Sequence, residues 1–393
     1  MKRSILFNSL AIAALCILSI GASAQMQSSN YDITTAVLSG GGAVMASDNY
    51  DVNITAGQPS PTRETGTPPE SDNYVLYPGF WYAASESAPP ETPENDVIID
   101  FGSGTGIWSQ YNNANWVKLH SLNSEIVVTG DLDGNNEDEA IFDFGPSYGI
   151  WVLYNNATWK KLHNLSPEII ATGDLDGNGT EDAIIDFGSG TGIYVRYNDT
   201  TWTKLHSLSA EIVTTGDLDG NGKDDCIIDF GSGVGIWVYY NNTTWMKLHS
   251  SSAELIGIGD GDGNGKDDCL IDFGPGVGIY VWFNNQGWEK LHSLSPEIIA
   301  GGDLDGNGAI DGIFDFGPGI GIWVLYNSTT WTKLHNLNAE IIETGDLDSN
   351  GQDDVIINFG SGVGIYVRYN NSTWTKLHSL SPESITTGNL DNN

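Results

Sequence analysis

Six short loops in this sequence carry oxygen-bearing side chains in one fixed pattern. Asp217-Leu218-Asp219-Gly220-Asn221-Gly222-Lys223-Asp224-Asp225 is representative, with carboxylates or an amide at loop positions 1, 3, 5 and 9. Alternate residues of a tight loop point inward, and glycines at positions 4 and 6 take the backbone angles such a turn requires. Asp217, Asp219, Asn221 and Asp225 therefore form one candidate ligand set. The earlier copies supply Asp131, Asp133, Asn135 and Glu139, then Asp174, Asp176, Asn178 and Asp182. The later ones supply Asp260, Asp262, Asn264 and Asp268, then Asp303, Asp305, Asn307 and Asp311, and finally Asp346, Asp348, Asn350 and Asp354. Hard oxygen donors without cysteine or histidine favour Ca2+ over zinc or copper. A single Asp-Gly or Asn-Gly step is an ordinary turn former, but six such clusters call for a counter-ion. An EF-hand would need a glutamate at position 12 and flanking helices, whereas here position 9 closes the loop.

The loops recur because the chain does. His120, His163, His206, His249, His292, His335 and His378 stand 43 residues apart, and Trp116, Trp159, Trp202, Trp245, Trp288, Trp331 and Trp374 follow the same ruler. One supersecondary unit is thus copied seven times. In the third copy Ala183-Ile184-Ile185-Asp186, Ile193-Tyr194-Val195-Arg196-Tyr197, Trp202-Thr203-Lys204-Leu205-His206 and Glu211-Ile212-Val213-Thr214-Thr215 read as four strands. β-Branched and aromatic residues fill them and Gly or Asn separates them, which disfavours helix. Four short strands per unit of about 40 residues make a β-propeller blade, so residues 96–393 read as an all-β, seven-bladed propeller.

The seventh loop has only Asn389, Asp391 and Asn393 at positions 1, 3 and 5, while Asp96 matches position 9. The segment from Glu383 to Thr387 therefore belongs with the strands beginning at Asp96. A ring closed in this way leaves no free sheet edge, and a seventh cation site forms from Asp391, Asn393 and Asp96. The expectation is six to seven Ca2+ sites.

Ahead of the repeats, Lys2 and Arg3 precede an apolar run, and Ala22-Ser23-Ala24 offers small residues for cleavage, so residues 1–24 read as a secretory signal. Residues 25–82 form a small β-rich region in which Ser-Asp-Asn-Tyr runs open short strands. Residues 83–95, with Pro89, Pro90 and Pro93, read as an acidic linker. Cys226 and Cys269 occupy matching positions in neighbouring copies and are expected as small buried thiols, unbridged. Fifteen basic against 51 acidic residues give a formal charge of −36, which repels nucleic acid and anionic lipid. The expected molecule is a secreted or cell-surface monomer that meets a protein or glycan and inserts in no membrane.

Trp202, Lys204 and His206 lie two apart on one strand and so are expected on one face. Their bland role is packing between blades. Their sharper role is a carbohydrate pocket in which the tryptophan of each copy stacks on a sugar and His206 or Arg196 binds hydroxyls, making a multivalent lectin. Asp186 and Glu211 could be a carboxylate pair of a glycan-active enzyme, yet a repeated catalytic pair is unusual, and a non-catalytic binding or adhesion module is the preferred reading.

Asp-Phe-Gly, a glycine-rich turn, then a strand entering Asp-Leu-Asp-Gly-Asn-Gly-x-Asp-Asp resembles the FG-GAP (integrin α-type) repeats over residues 96–393. Where that family has Gly-Ala-Pro, this chain has Gly188-Ser189-Gly190 or Gly274-Pro275-Gly276. The resemblance implies a seven-bladed propeller with calcium in its loops and a role in adhesion or recognition.

Overall fold

The computed structural model describes residues 95–283 and 286–391 in full, and before them only the backbone of six short strands. The chain divides into two units, Met1–Pro90 and Glu91–Asn393. In the first, Met26–Ser28 pairs with Tyr31–Ile33, Ala43–Ala46 with Asp51–Ile54, and Glu70–Ser71 with Tyr74–Val75, all antiparallel. The signal segment, most of residues 83–95, and Asn393 lie outside the described residues.

In the second unit each 43-residue copy contains one uninterrupted apolar run, such as Val97-Ile98-Ile99 or Cys226-Ile227-Ile228, and these are buried except at Leu270 and Gly312, which are half-buried. Such a run suits a strand covered on both faces. It forms the second strand of a four-stranded antiparallel sheet, and seven such sheets are present. Blade 1 combines Asp96–Asp100, Ile107–Tyr111 and Asn115–His120 with Ser384–Gly388. Blades 2 to 7 follow, with inner strands Ile126–Gly130, Ile169–Gly173, Ile212–Gly216, Leu255–Gly259, Ile298–Gly302 and Ile341–Gly345. The strand counted fourth in the third copy pairs with Asp225–Asp229 across the acidic loop, and so becomes the inner strand of blade 4.

Each inner strand neighbours the next, and the strand of blade 1 neighbours those of blades 7 and 2, closing the circle. Closure runs through the expected offset: Ser384 faces Asp100 and Gly388 faces Asp96. Two sets of hydrogen bonds stitch blade to blade near the axis. Thr172 and Thr387 hydroxyls donate to the carbonyls of Thr129 and Thr344, one blade back, at 2.8 and 2.7 Å. The acid at loop position 8 clasps position 1 of the preceding blade: Asp224 N–H donates to Asp174 O at 2.9 Å, and Asp174 N–H donates to the Asp224 carboxylate at 2.9 Å. Asn95 closes the ring in the same way on Asp346, at 2.7 and 2.9 Å.

The third and outer strands meet in tight two-residue turns, for example Asn198 and Asp199, both with φ of 50°. Asparagine and aspartate tolerate this left-handed geometry, which matches the twist of a hairpin. Cys226 and Cys269 are buried and free, as expected. No helix among the described residues is long and apolar enough to cross a membrane.

Candidate functional site

The acidic loop joins the inner to the second strand of each blade, so position 9 is the first residue of the buried strand. Asp225 is fully buried there, while Asp217 and Asp219 are half-buried. The Asp217 carboxylate accepts N–H groups from Gly220, Asn221 and Gly222 at 2.8, 3.0 and 2.6 Å, which curls the loop around it. Asp225 accepts Asn241 N–H at 2.8 Å, and Asp219 accepts the Asn241 amide at 2.7 Å. The turn between third and outer strands thus reaches over the loop. This supporting asparagine was missed from sequence, although it recurs as Asn155, Asn198, Asn327 and Asn370 beside similarly bonded loops.

Five loops bring three carboxylates within 4.8 Å of one another: Asp131/Asp133/Glu139, Asp174/Asp176/Asp182, Asp217/Asp219/Asp225, Asp260/Asp262/Asp268 and Asp303/Asp305/Asp311. Asp346, Asp348 and Asp354 of the sixth loop are not among them; there Ser349 replaces glycine and is held at φ 57°. The position-5 amides serve the loop itself: the Asn178 and Asn307 side-chain oxygens accept the N–H two residues on, each at 2.7 Å. Two segments far apart in sequence do assemble a seventh loop. Asn112 donates its N–H to Asp96 at 2.8 Å and its amide to Asp391 at 2.9 Å, reproducing the Asn241 bridge.

The donor set fits a hard divalent ion. Buried carboxylate oxygens of Glu139, Asp176, Asp225 and Asp391 have no hydrogen-bond partner, an arrangement that costs free energy unless a cation or proton answers it. Burial, and then the facing carboxylates, push Glu139, Asp182 and Asp225 up to about 7, and Asp311 to about 6.

A second repeated feature lies on the outer rim. Each histidine packs at a tilt against the Asp-Phe-Gly phenylalanine of the following blade, from His206–Phe230 at 4.5 Å to His292–Phe316 at 4.9 Å. Its Nδ1 accepts the N–H two residues on, Leu208 for His206, at 3.1 Å. Trp202 instead meets His163 of the preceding blade at 5.6 Å. The expected common face for Trp202, Lys204 and His206 is therefore wrong. A β-bulge pairs Ile193 with His206 but Tyr194 with Lys204, and the extra residue, Leu205, turns the histidine to the other side. Arg196 lies over Trp202 at 5.5 Å and is paired with Asp199 at 3.0 Å.

Histidine of one blade and tryptophan of the next thus lie side by side at each seam, and between blades 1 and 2 they wall a concavity. It measures about 360 Å3, lined by His120, Leu122, Phe144, Tyr148, Trp151 and Trp159. Around the ring, Leu165, Leu208, Leu294, Leu337 and Leu380 stand exposed at the place of Leu122. Asp186 and Glu211 are not joined as a pair: Ser209 links Asp186 to Glu168, and Ser252 links Glu211 to Asp229.

No family model matches this chain, and no curated protein does. Solved structures do. A lectin of Agrocybe aegerita, studied for its specific recognition of non-reducing terminal N-acetylglucosamine, is similar at 16% identity and a TM-score of 0.59, over 77% of this chain and 96% of that one. BBS1N in complex with ARL6DN is similar at 12% identity and TM-score 0.46, over 72% and 88%. The Dos1 propeller follows at 9% and 0.43, over 75% and 85%. The first of these likenesses agrees with the seven-bladed fold.

Proposed function

We propose that this chain is a non-catalytic, calcium-loaded binding module that works outside the cell and holds glycans in its inter-blade pockets. The concavity of His120, Phe144, Tyr148, Trp151 and Trp159 carries this reading. Aromatic faces converging in an open hollow suit the apolar face of a sugar ring, and nearby polar edges can receive its hydroxyls. The lectin likeness supports a sugar, with terminal N-acetylglucosamine as the first probe. Copies of the pocket around a closed ring would bind a repetitive glycan with an avidity far above one site's affinity.

Calcium is favoured by all-oxygen, carboxylate-rich loops. Its role here is to hold the inner-to-second-strand turns, which sit beside the blade-to-blade clasps. The loop and Asp-Phe-Gly pattern supports kinship with FG-GAP repeats, and residues 1–24 support export. Titration of the calcium-loaded chain with N-acetylglucosamine and a glycan array tests the reading. Binding should weaken at least about tenfold at the affected pocket in Trp159→Ala with the fold retained. A folded, calcium-loaded protein that retains no glycan would refute it.

A further inference from the structure

The seam between blades 5 and 6 departs from the repeat in a concerted way. The leucine at loop position 2 plugs the other interfaces and is almost wholly buried at Leu132, Leu175, Leu218, Leu304, Leu347 and Leu390. In blade 5 that residue is Gly261. Across the seam, Gly301 stands where Thr172 and Thr344 stand elsewhere, and the clasping acid of position 8 is Ile310. At the hairpin end, Tyr111, Tyr197 and Tyr326 bond across their interfaces to Asn156, Asn242 and Asn371. Here the pair is Phe283 and Ser328. Bulk and polarity are removed at the same seam.

Ile310 lies over Gly301, its Cγ2 only 2.9 Å from where a β-carbon would stand, and the Phe314 ring covers Gly312 at 2.7 Å. The Ser328 hydroxyl stands 2.8 Å from where a β-carbon of Gly261 would lie and donates to the Gly261 carbonyl at 2.8 Å, so no apolar group takes the place of the leucine. The buried core of this seam shrinks to Ile279, Phe314, Phe316 and Leu325, against seven to nine residues at every other seam. The result is a half-open cavity of about 200 Å3 walled by Leu270, Val281, Phe283, Ile299, Phe314 and Leu325. Only Asp268 and the Ser328 hydroxyl bring side-chain polarity to it.

We infer that this cavity is a single binding site for a small apolar group, a benzene-sized ring or a short branched alkyl chain, distinct from the rim pockets. Apolar cavities of about 150 Å3 lined by Leu, Ile and Phe accept benzene, and this one is of that size with a mostly apolar lining. The site occurs once per ring because its defining departures occur at one seam.

Calorimetric melting of the full calcium-loaded chain with and without saturating toluene tests this. The wild type should gain about 2 °C or more. Gly261→Leu, which restores the residue of the other loops and displaces the Ser328 hydroxyl 2.8 Å from its β-carbon, should fill the cavity and lose the toluene shift. A milder variant, Gly257→Ala, meets only Ile299 Cγ2, at 3.1 Å, and should reduce the shift. A wild-type midpoint that toluene does not move, or a shift that survives both variants undiminished, overturns the inference.

Discussion

Calcium uptake should expel protons in a countable, pH-dependent number. In the loops whose three carboxylates converge, burial and facing charges hold Glu139, Asp182 and Asp225 near 7, and Asp311 near 6. At pH 6 a group at 7 is about nine-tenths protonated and a group at 6 about half, giving about three protons over these four loops of the cation-free chain. Calcium binds the carboxylate forms, so saturation at pH 6 should release about three protons and at pH 8 about 0.3. Asp354 is also pushed up to about 7, so proton release at pH 6 that Asp354→Asn lowers by about 0.9 would report uptake at the sixth loop. Apparent affinity should fall nearly tenfold for each pH unit below about 7 in the loops of Glu139, Asp182 and Asp225, and below about 6 in that of Asp311.

The assay is calcium titration in weak buffer with proton release read by a pH-stat, repeated by calorimetry in buffers of different ionisation enthalpy. Asp225→Asn should remove about 0.9 proton at pH 6 and one calcium, leaving the other loops intact. Calcium bound with the same small proton release at pH 6 and pH 8 would refute the argument, because the buried carboxylates would then be charged already in the cation-free fold.

The same groups set how stability without calcium varies with pH. Folded values near 7 exceed the unfolded value near 4, so the chelated fold keeps protons that the unfolded chain loses, and its melting temperature should fall as pH rises from about 4 to 7. Added calcium should reverse that trend, so melting curves with and without chelator should diverge most above pH 7. Removing residues 384–393 takes away the inner strand of blade 1 and its bonds to Asp96–Asp100; the expected result is a lower, broader transition, and an unchanged one refutes closure. Leu218→Ala empties a fully buried plug between blades 4 and 5 and should cost about 2–5 kcal/mol by chemical denaturation.

The architecture was legible because a strict repeat averages out local ambiguity. One copy with three β-branched runs leaves strand pairing open, but seven copies give the blade number. The offset between Asp96 and Asp391 gave the closure. What stayed hidden were contacts decided by one inserted residue or by the neighbouring blade. The bulge at Leu205 reverses the side taken by His206, and period-two reasoning carries a residue past such a bulge onto the wrong face. Glu211 sits three residues before Thr214 in its own copy, yet its side chain meets Asp229 through Ser252, because the inner strand belongs to the next sheet. Asn241 could have been found from its recurrence after the third-strand tyrosine, though recurrence alone does not say what it supports. In a ring built this way, residues that obey the repeat describe the frame, and residues that break it distinguish one interface from another. Tyr148, where the other copies have Thr105, Thr191, Val234, Val277, Ile320 and Val363, gives the first rim pocket an extra aromatic ring. Gly261 and Ile310 open and grease a different seam. A sevenfold frame with two singular interfaces is therefore better read as a repeated binder with local specialisation than as seven equal sites.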